Sequence, residues 1–263
     1  MLNFGDKYPV QAFGKLQEAI VLGVTRIDEA GKLGYLVTVS LDEYGSAQYW
    51  QPDDGTSEGV AEYRRDRSLI PVEYRAKVWS DFSWDKYKDN IGAQQKIART
   101  FIEKFGEFRK QGRGLFISSK IKGSGKTFLA CCLANEIIKI HGLVTKFISV
   151  PDFLEVVRSK DDNSKIQLDA LYKCELLIFD DIGAETDKQE WINNAIFRLI
   201  DFRYKNHLST IYTSNSEIGA LKGDDRTINR IEAVSVPVFM PEQSIRTDIS
   251  NKFTKEFLTS LGI

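Results

Sequence analysis

The sequence predicts an α/β protein, with a mostly parallel sheet flanked by helices and a small N-terminal region that contains a β-hairpin. Two observations predict it. From about residue 60 onward, short apolar runs alternate with stretches of helical periodicity, the order that gives parallel strands covered on both faces. Before that point, two runs rich in β-branched residues flank a turn-prone segment.

Taken in order, "AIVLGVTRI" (19–27) and "LGYLVTVSL" (33–41) enclose "DEAGK" and read as the hairpin. A two-stranded hairpin is marginal by itself. "QPDDGTSEG" (51–59) has the residues of a linker, so the expected division is 1–60 and 61–263. In the second part, "AQQKIARTFIEKFGEFRK" (93–110) predicts one helix with Ile97, Phe101, Phe105 and Phe108 on a common face. "GLFIS" (114–118) predicts a buried strand. A glycine-rich loop follows, then a helix through Ile140, the strand "VTKFISV", a helical stretch from Asp152, and the strand "LLIFDD". "STIYTSN" (209–215) is expected to be the last core strand.

Composition narrows the classes. With 263 residues, 42% hydrophobic and 28% charged, the chain can bury a full core and suits one α/β domain plus an appendage. A net charge of −1 creates no global field toward nucleic acid or acidic lipid, so such binding would need a local patch. No apolar run approaches the roughly 20 residues of a membrane span, and "MLNFGDKYPV" lacks a basic stretch followed by an apolar one. The expectation is a cytoplasmic protein with no membrane partner. Cys131, Cys132 and Cys174 lack paired spacing, which argues against a disulfide framework or zinc ribbon and predicts small core residues.

The loop "SSKIKGSGKTFLA" (118–130) carries the first chemistry. Backbone N–H groups between a strand and a helix can point at phosphate oxygens, and the helix start adds partial positive charge. Glycines are needed where side chains would block that approach. The pattern GxxxxGK[S/T] has Lys120 at its first glycine, yet Gly123, Gly125, Lys126 and Thr127 are in place. Lys126 is expected to reach the β- and γ-phosphates of ATP and Thr127 to offer a hydroxyl to Mg²⁺, with Lys122, Ser124 and Phe128 completing the cradle. Lys120 is then a cost in backbone freedom and not the loss of a ligand.

"LLIFDD" supplies the second part. Four apolar residues carry Asp180 and Asp181 to the end of a buried strand, the Walker B arrangement. Asp180 is expected to hold Mg²⁺ and Asp181 to polarise an attacking water.

"LLIFDDIGAE", "TIYTSN" and "RTINRI", in that order behind the loop, resemble the AAA+ ATPases of the helicase-loader group, the DnaC/DnaI type, which also includes the IstB transposition helpers. "RSLIPVEYRAKVWSDFSWDKY" (67–87) is similar to the segment preceding their ATPase core. The resemblance covers about residues 68–246 and implies an AAA+ P-loop fold and an ATPase that loads a replicative DNA helicase onto single-stranded DNA. A helper of a DNA transposase is the alternative. It implies a sensor 1 amide at Asn215, an arginine finger at Arg230 or else Arg226, a sensor 2 arginine at Arg246, and a homo-oligomer formed through the finger interface. Asp181 stands where many members have Glu, which implies slow hydrolysis.

Nothing in residues 1–60 resembles the family's N-terminal domains. Tyr35, Tyr44, Tyr49 and Trp50 suit either a docking module or packing. Arg158, Lys160 and Lys165 flank the polar "RSKDDNSK", placed where relatives carry a helical element facing single-stranded DNA, and a solvated loop is the alternative. Arg99, Arg109, Lys110 and Arg113 read as a solvated face.

Overall fold

The computed structural model describes residues 4–12, 15–29, 32–41, 45–52, 58–159, 161–183, 190–246 and 258–259. Contacts divide the chain into two compact units, Met1–Glu62 and Tyr63–Ile263.

Among its described residues the first unit contains four antiparallel strands, β1 (Lys7–Ala12), β2 (Lys15–Glu29), β3 (Lys32–Ser40) and β4 (Ser46–Pro52), paired in chain order. The expected hairpin is the central pair, with Ile27 opposite Gly34 and Val21 opposite Val39. It is flanked on each side rather than standing alone. Ala19, Val21, Val37 and Val39 form a buried cluster, joined by half-buried Tyr8, Val24 and Tyr35. An irregularity in the β2–β3 ladder between Val21 and Gly23 shifts the register there. β4 reaches Pro52, so it enters the stretch whose composition suggested a linker. Tyr44 lies outside the described residues, as do the side chains of Tyr49 and Trp50.

α1 (Glu58–Asp66) spans the boundary in sequence. Among its described residues the second unit holds five strands, β5 (Gly114–Ser118), β6 (Thr145–Ser149), β7 (Leu176–Asp180), β8 (Ser209–Ser214) and β9 (Ser235–Phe239), in the order β6-β7-β8-β5-β9. Every pairing is parallel. Each residue of β5, β7 and β8 is buried, so β5 and β7 read as apolar runs, while β8 buries the hydroxyls of its serines and threonines as well. β9 follows "STIYTSN" and was not expected. It is an edge strand, where Pro237 is tolerated because a missing N–H can face away from the ladder.

Around this sheet lie α2 (Gly92–Glu103), α3 (Phe105–Lys110), α4 (Lys126–His141), α5 (Val150–Arg158), α6 (Asp162–Lys173), α7 (Glu190–Lys205) and α8 (Asp225–Val234). The helix expected over 93–110 is interrupted at Lys104 (φ −115°, ψ 24°), yet its aromatic face survives. Phe101 stands edge-on to Phe105 at 5.3 Å and to Phe108 at 5.0 Å. α4 is buried nearly all round and stops at Gly142, whose φ of 61° suits a left-handed cap. The polar insertion forms the start of α6, where the Asp161 carboxylate accepts from Ser164 N at 2.8 Å.

A buried arginine ties the layers together. Arg203, 1% exposed, donates to Thr210 Oγ1 and to the carbonyls of Leu171, Cys174 and Ser209. The three cysteines are free and buried. Among the described residues no helix is long and apolar enough to cross a membrane.

Candidate active site

Parallel strands bring their carboxyl ends to one edge of a sheet, and ligands of such folds bind there. At that edge lie the loop after β5, Asp181 after β7, Asn215 after β8, and Ile245 and Arg246 after β9. They border a cavity of about 490 Å³. Lys122, Gly123, Ser124, Gly125, Lys126, Thr127, Phe128, Asp181, Asn215 and Arg246 all face it, so ten of the expected site residues are brought together.

The loop needs its glycines for two physical reasons. Gly123 and Gly125 have φ of 79° and 89°, in the region L side chains avoid. Space is closed as well. A Cβ on Gly123 would lie 2.8 Å from Ser244 Oγ, and one on Gly125 would lie 2.8 Å from the Tyr87 hydroxyl. Lys120 is not in the left-handed region, so a side chain is tolerated there. Its N–H donates to Glu242 Oε1 at 3.0 Å.

Lys126 Nζ donates to Ser119 O (3.2 Å), Ile121 O (3.1 Å) and Ser124 Oγ (3.2 Å). Burial lowers its pKa, and the charges of Asp181 and Asp180 oppose that shift. Thr127 Oγ1 donates to Asp180 Oδ1 at 2.9 Å, which joins the start of α4 to the end of β7. Asp180 is 6% exposed, and burial first, then the neighbouring Asp181 charge, pushes its carboxyl up to about 6 against bonds from Thr213 and Thr127. A divalent cation offsets both effects. The donor set therefore fits Mg²⁺, a hard ion that prefers carboxylate, hydroxyl and phosphate oxygens. The loop amides and ammonium fit a polyphosphate.

The opposite wall was not anticipated. Glu73, Tyr74 and Lys77 come from the segment before α2, and Ile245 from the segment after β9. Asn135 on α4 holds the first segment by donating to Tyr74 O (2.8 Å) and Lys77 O (2.7 Å). The Tyr74 ring lies 5.4 Å from that of Phe128. The second segment hangs on the loop, since Ile245 N and Arg246 N donate to Gly123 O at 2.9 and 3.2 Å. No fixed spacing links these residues to the loop, although the likeness of 67–87 to a family segment was a usable signal.

Arg226 and Arg230 do not border the cavity. One turn apart on α8, each covers an aromatic ring of α7: Arg226 lies 4.4 Å from the Phe197 centroid and Arg230 4.6 Å from that of Tyr204. Arg226 is paired with its own helix cap, Asp224, while Arg230 donates to Asp201 at 3.3 Å. Arg158 lies over the Trp191 ring at 4.7 Å, Lys165 pairs with Asp162 at 2.8 Å, and Lys160 lies outside the described residues.

A phosphate loop opening a buried helix, paired acids on the next strand but one and a polar residue ending the strand between them define an ATP-binding AAA+ P-loop fold. A family model described as IstB-like ATP binding protein matches residues 110–225. The Replicative helicase loader DnaI of Bacillus subtilis (strain 168) is 28% identical over 125 residues, covering 46% of this chain and 39% of that protein. Uncharacterized protein YqaM of the same organism is 23% identical over 165 residues, 61% of this chain and 53% of that protein. The chain thus spans about half or less of the length of these curated relatives. A crystal structure of DnaI superposes with a TM-score of 0.56 at 25% identity, covering 66% of this chain and 95% of that one. The chain is thus similar in part to an IstB-like ATP binding protein model and to the helicase loader DnaI.

Proposed function

We propose that the chain is an ATPase that loads a ring helicase during DNA replication. The observation that carries this reading is the 2.9 Å bond between Thr127 and Asp180 beneath the phosphate loop, which puts the two halves of a Mg²⁺·ATP site in contact. In this reading Lys126 and the loop amides take the β- and γ-phosphates, and Thr127 and Asp180 hold the metal. Bound Mg²⁺ supplies charge neutralisation at the transferring phosphoryl group. Asp181 and Asn215 orient the attacking water, and Arg246 meets the phosphates from the side of 240–246.

Arg230 suits a finger acting on a second copy better than Arg226 does. Its guanidinium is braced by Asp201 and Tyr204, contacts on the neighbouring helix, whereas Arg226 is folded back onto its own cap, Asp224. Single-stranded DNA is the proposed second ligand, supported by the exposed cations Arg158 and Lys165 at the turn between α5 and α6, charges suited to a phosphate backbone. A helicase partner is supported by the likeness to DnaI. The match to an IstB-like model favours the second reading, a helper of a DNA transposase.

Steady-state ATP hydrolysis tests the catalytic half. Lys126→Ala and Arg230→Ala are each expected to be nearly inactive alone and to regain part of the activity when mixed, because an intact loop can then meet an intact finger. No turnover by the unsubstituted chain at any concentration, with or without single-stranded DNA, would sink the ATPase reading. Capture from the native lysate with ATP present then decides the partner: a ring helicase supports the loader, a transposase the helper.

A further inference from the structure

We propose that Thr213 is a positioning residue for this site: its hydroxyl orients Asp180 for the metal and fixes the turn that aims Asp181 into the cavity. The inference deepens the Mg²⁺·ATP reading and rests on it.

The β7–β8 ladder ends at Phe179 opposite Tyr212. Beyond it Asp181 adopts φ 58°, so the backbone turns away and the ordinary ladder cannot continue. The Thr213 hydroxyl takes over. It accepts from Asp181 N at 2.9 Å and donates to Asp180 Oδ1 at 2.6 Å. A hydroxyl has one proton to give and lone pairs to receive, so using both fixes its orientation. Thr213 O also accepts from Ile182 N at 2.9 Å, and Ser214 Oγ donates to Ile182 O at 2.6 Å. One strand end thereby holds three successive residues of the neighbouring turn.

Thr213 is 0% exposed, so it touches neither solvent nor a nucleotide and acts only through the two acids. Thr127 and Thr213 both donate to Oδ1 of Asp180, which sets the carboxylate plane from two sides. The same strand continues into Asn215, so the metal-facing acid, the water-facing acid and the amide are held in one frame. Threonine suits the position because β-branching restricts χ1. Serine keeps the hydroxyl with more freedom, and valine keeps the shape without it.

The test uses the full chain carrying Thr213→Val or Thr213→Ser, with binding of mant-ATP followed by fluorescence while Mg²⁺ is varied. Thr213→Val is expected to raise the Mg²⁺ concentration at half-saturation, and to lower kcat, by about tenfold or more, as loss of a residue supporting a metal ligand does. Mant-ATP affinity in excess chelator should stay within about twofold, because the hydroxyl does not touch the phosphate loop, and KM at saturating Mg²⁺ should change less than kcat. Thr213→Ser should return both the Mg²⁺ midpoint and kcat to within about threefold of the unsubstituted chain, since the hydrogen bonds are restored. An unchanged Mg²⁺ midpoint in Thr213→Val would overturn the proposal, as would a serine variant as impaired as the valine one. A valine variant that loses its fold, by circular dichroism and thermal unfolding, would also overturn it by making Thr213 a structural pin. Failure of the underlying ATP reading looks different: the unsubstituted chain itself would bind no mant-ATP at any Mg²⁺ concentration.

Discussion

The two walls of the cavity are built from different parts of the chain. The phosphate-facing wall comes from the ends of β5, β7 and β8 and the first turn of α4, and Ser124, Lys126, Asp180 and Thr213 are all buried there. The facing wall comes from residues 73–77 and 245–246, joined to the rest through Asn135 and Gly123 O, and Glu73, Lys77 and Arg246 are exposed. Fixed backbone and buried charge suit the invariant part of a nucleotide, its phosphates. An exposed wall held by backbone bonds suits the less demanding task of covering a base. Substitutions in the first wall and at Arg246, the one residue of the second wall proposed to meet the phosphates, should therefore have large effects, and those elsewhere in the second wall small ones.

Lys126→Ala should show the largest effect. Loss of the ammonium that reaches the phosphates is expected to weaken ATP binding at least about a hundredfold, roughly 2.7 kcal/mol, by isothermal titration calorimetry. A loss of only a few-fold would erase the proposed asymmetry.

Asp180→Asn comes next and separates binding from folding. The Asp180 carboxyl is raised from 3.8 to about 6 in the folded chain, so between those values the folded state keeps a proton that the unfolded state has lost. Its contribution to stability is greatest below pH 3.8, declines as pH rises toward 6, and is lowest above that. Asparagine preserves an acceptor for Thr127 and Thr213 and carries no charge. The variant is expected to be more stable at pH 7.5 by on the order of 2 kcal/mol, or roughly 4 to 8 °C in Tm, with the gap closing toward pH 4. It should lose Mg²⁺-dependent ATP binding. A Tm gap that did not narrow on acidification would show that the charge is not its source.

Tyr74→Ala addresses the other wall and should have the smallest effect. With the backbone of residue 74 still held by Asn135, ATP affinity is expected to fall about tenfold or less, near 1.4 kcal/mol, with kcat nearly unchanged. A larger loss than that of Lys126→Ala would reverse the comparison.

The same contrast explains what could be read in the sequence. Phosphate chemistry demands certain residue types at fixed intervals, so Gly123 to Thr127 and the Asp180–Asp181 pair were legible before any fold was known. Of the facing wall only Arg246 was expected, because Tyr74 and Ile245 come from segments distant from the loop in sequence and are placed by tertiary bonds. Fully buried β5 and β7 announced themselves as apolar runs, and β8 by the β-branched and aromatic residues Thr210 to Thr213. β9 did not, since its alternating exposure and Pro237 weaken the pattern of an edge strand. The interruption at Lys104 was hidden because the aromatic spacing across it remains helical. In the N-terminal sheet, the central pair was visible from its β-branched residues, whereas β1 and β4 contain Pro9 and Pro52, residues that usually mark strand ends or loops.

The left-handed backbone at Asp181 also restricts which residues can occupy that position. At φ 58° a β-branched residue would be strained, and any side chain other than a short polar one gives up about 1 to 2 kcal/mol of conformational preference. Aspartate combines an acid with tolerance of that geometry. A glutamate there would gain one methylene of length but would have to enter a turn its backbone disfavours. The vocabulary available to selection at this site is therefore written by a torsion angle as much as by the reaction, and a shorter acid is the word that satisfies both.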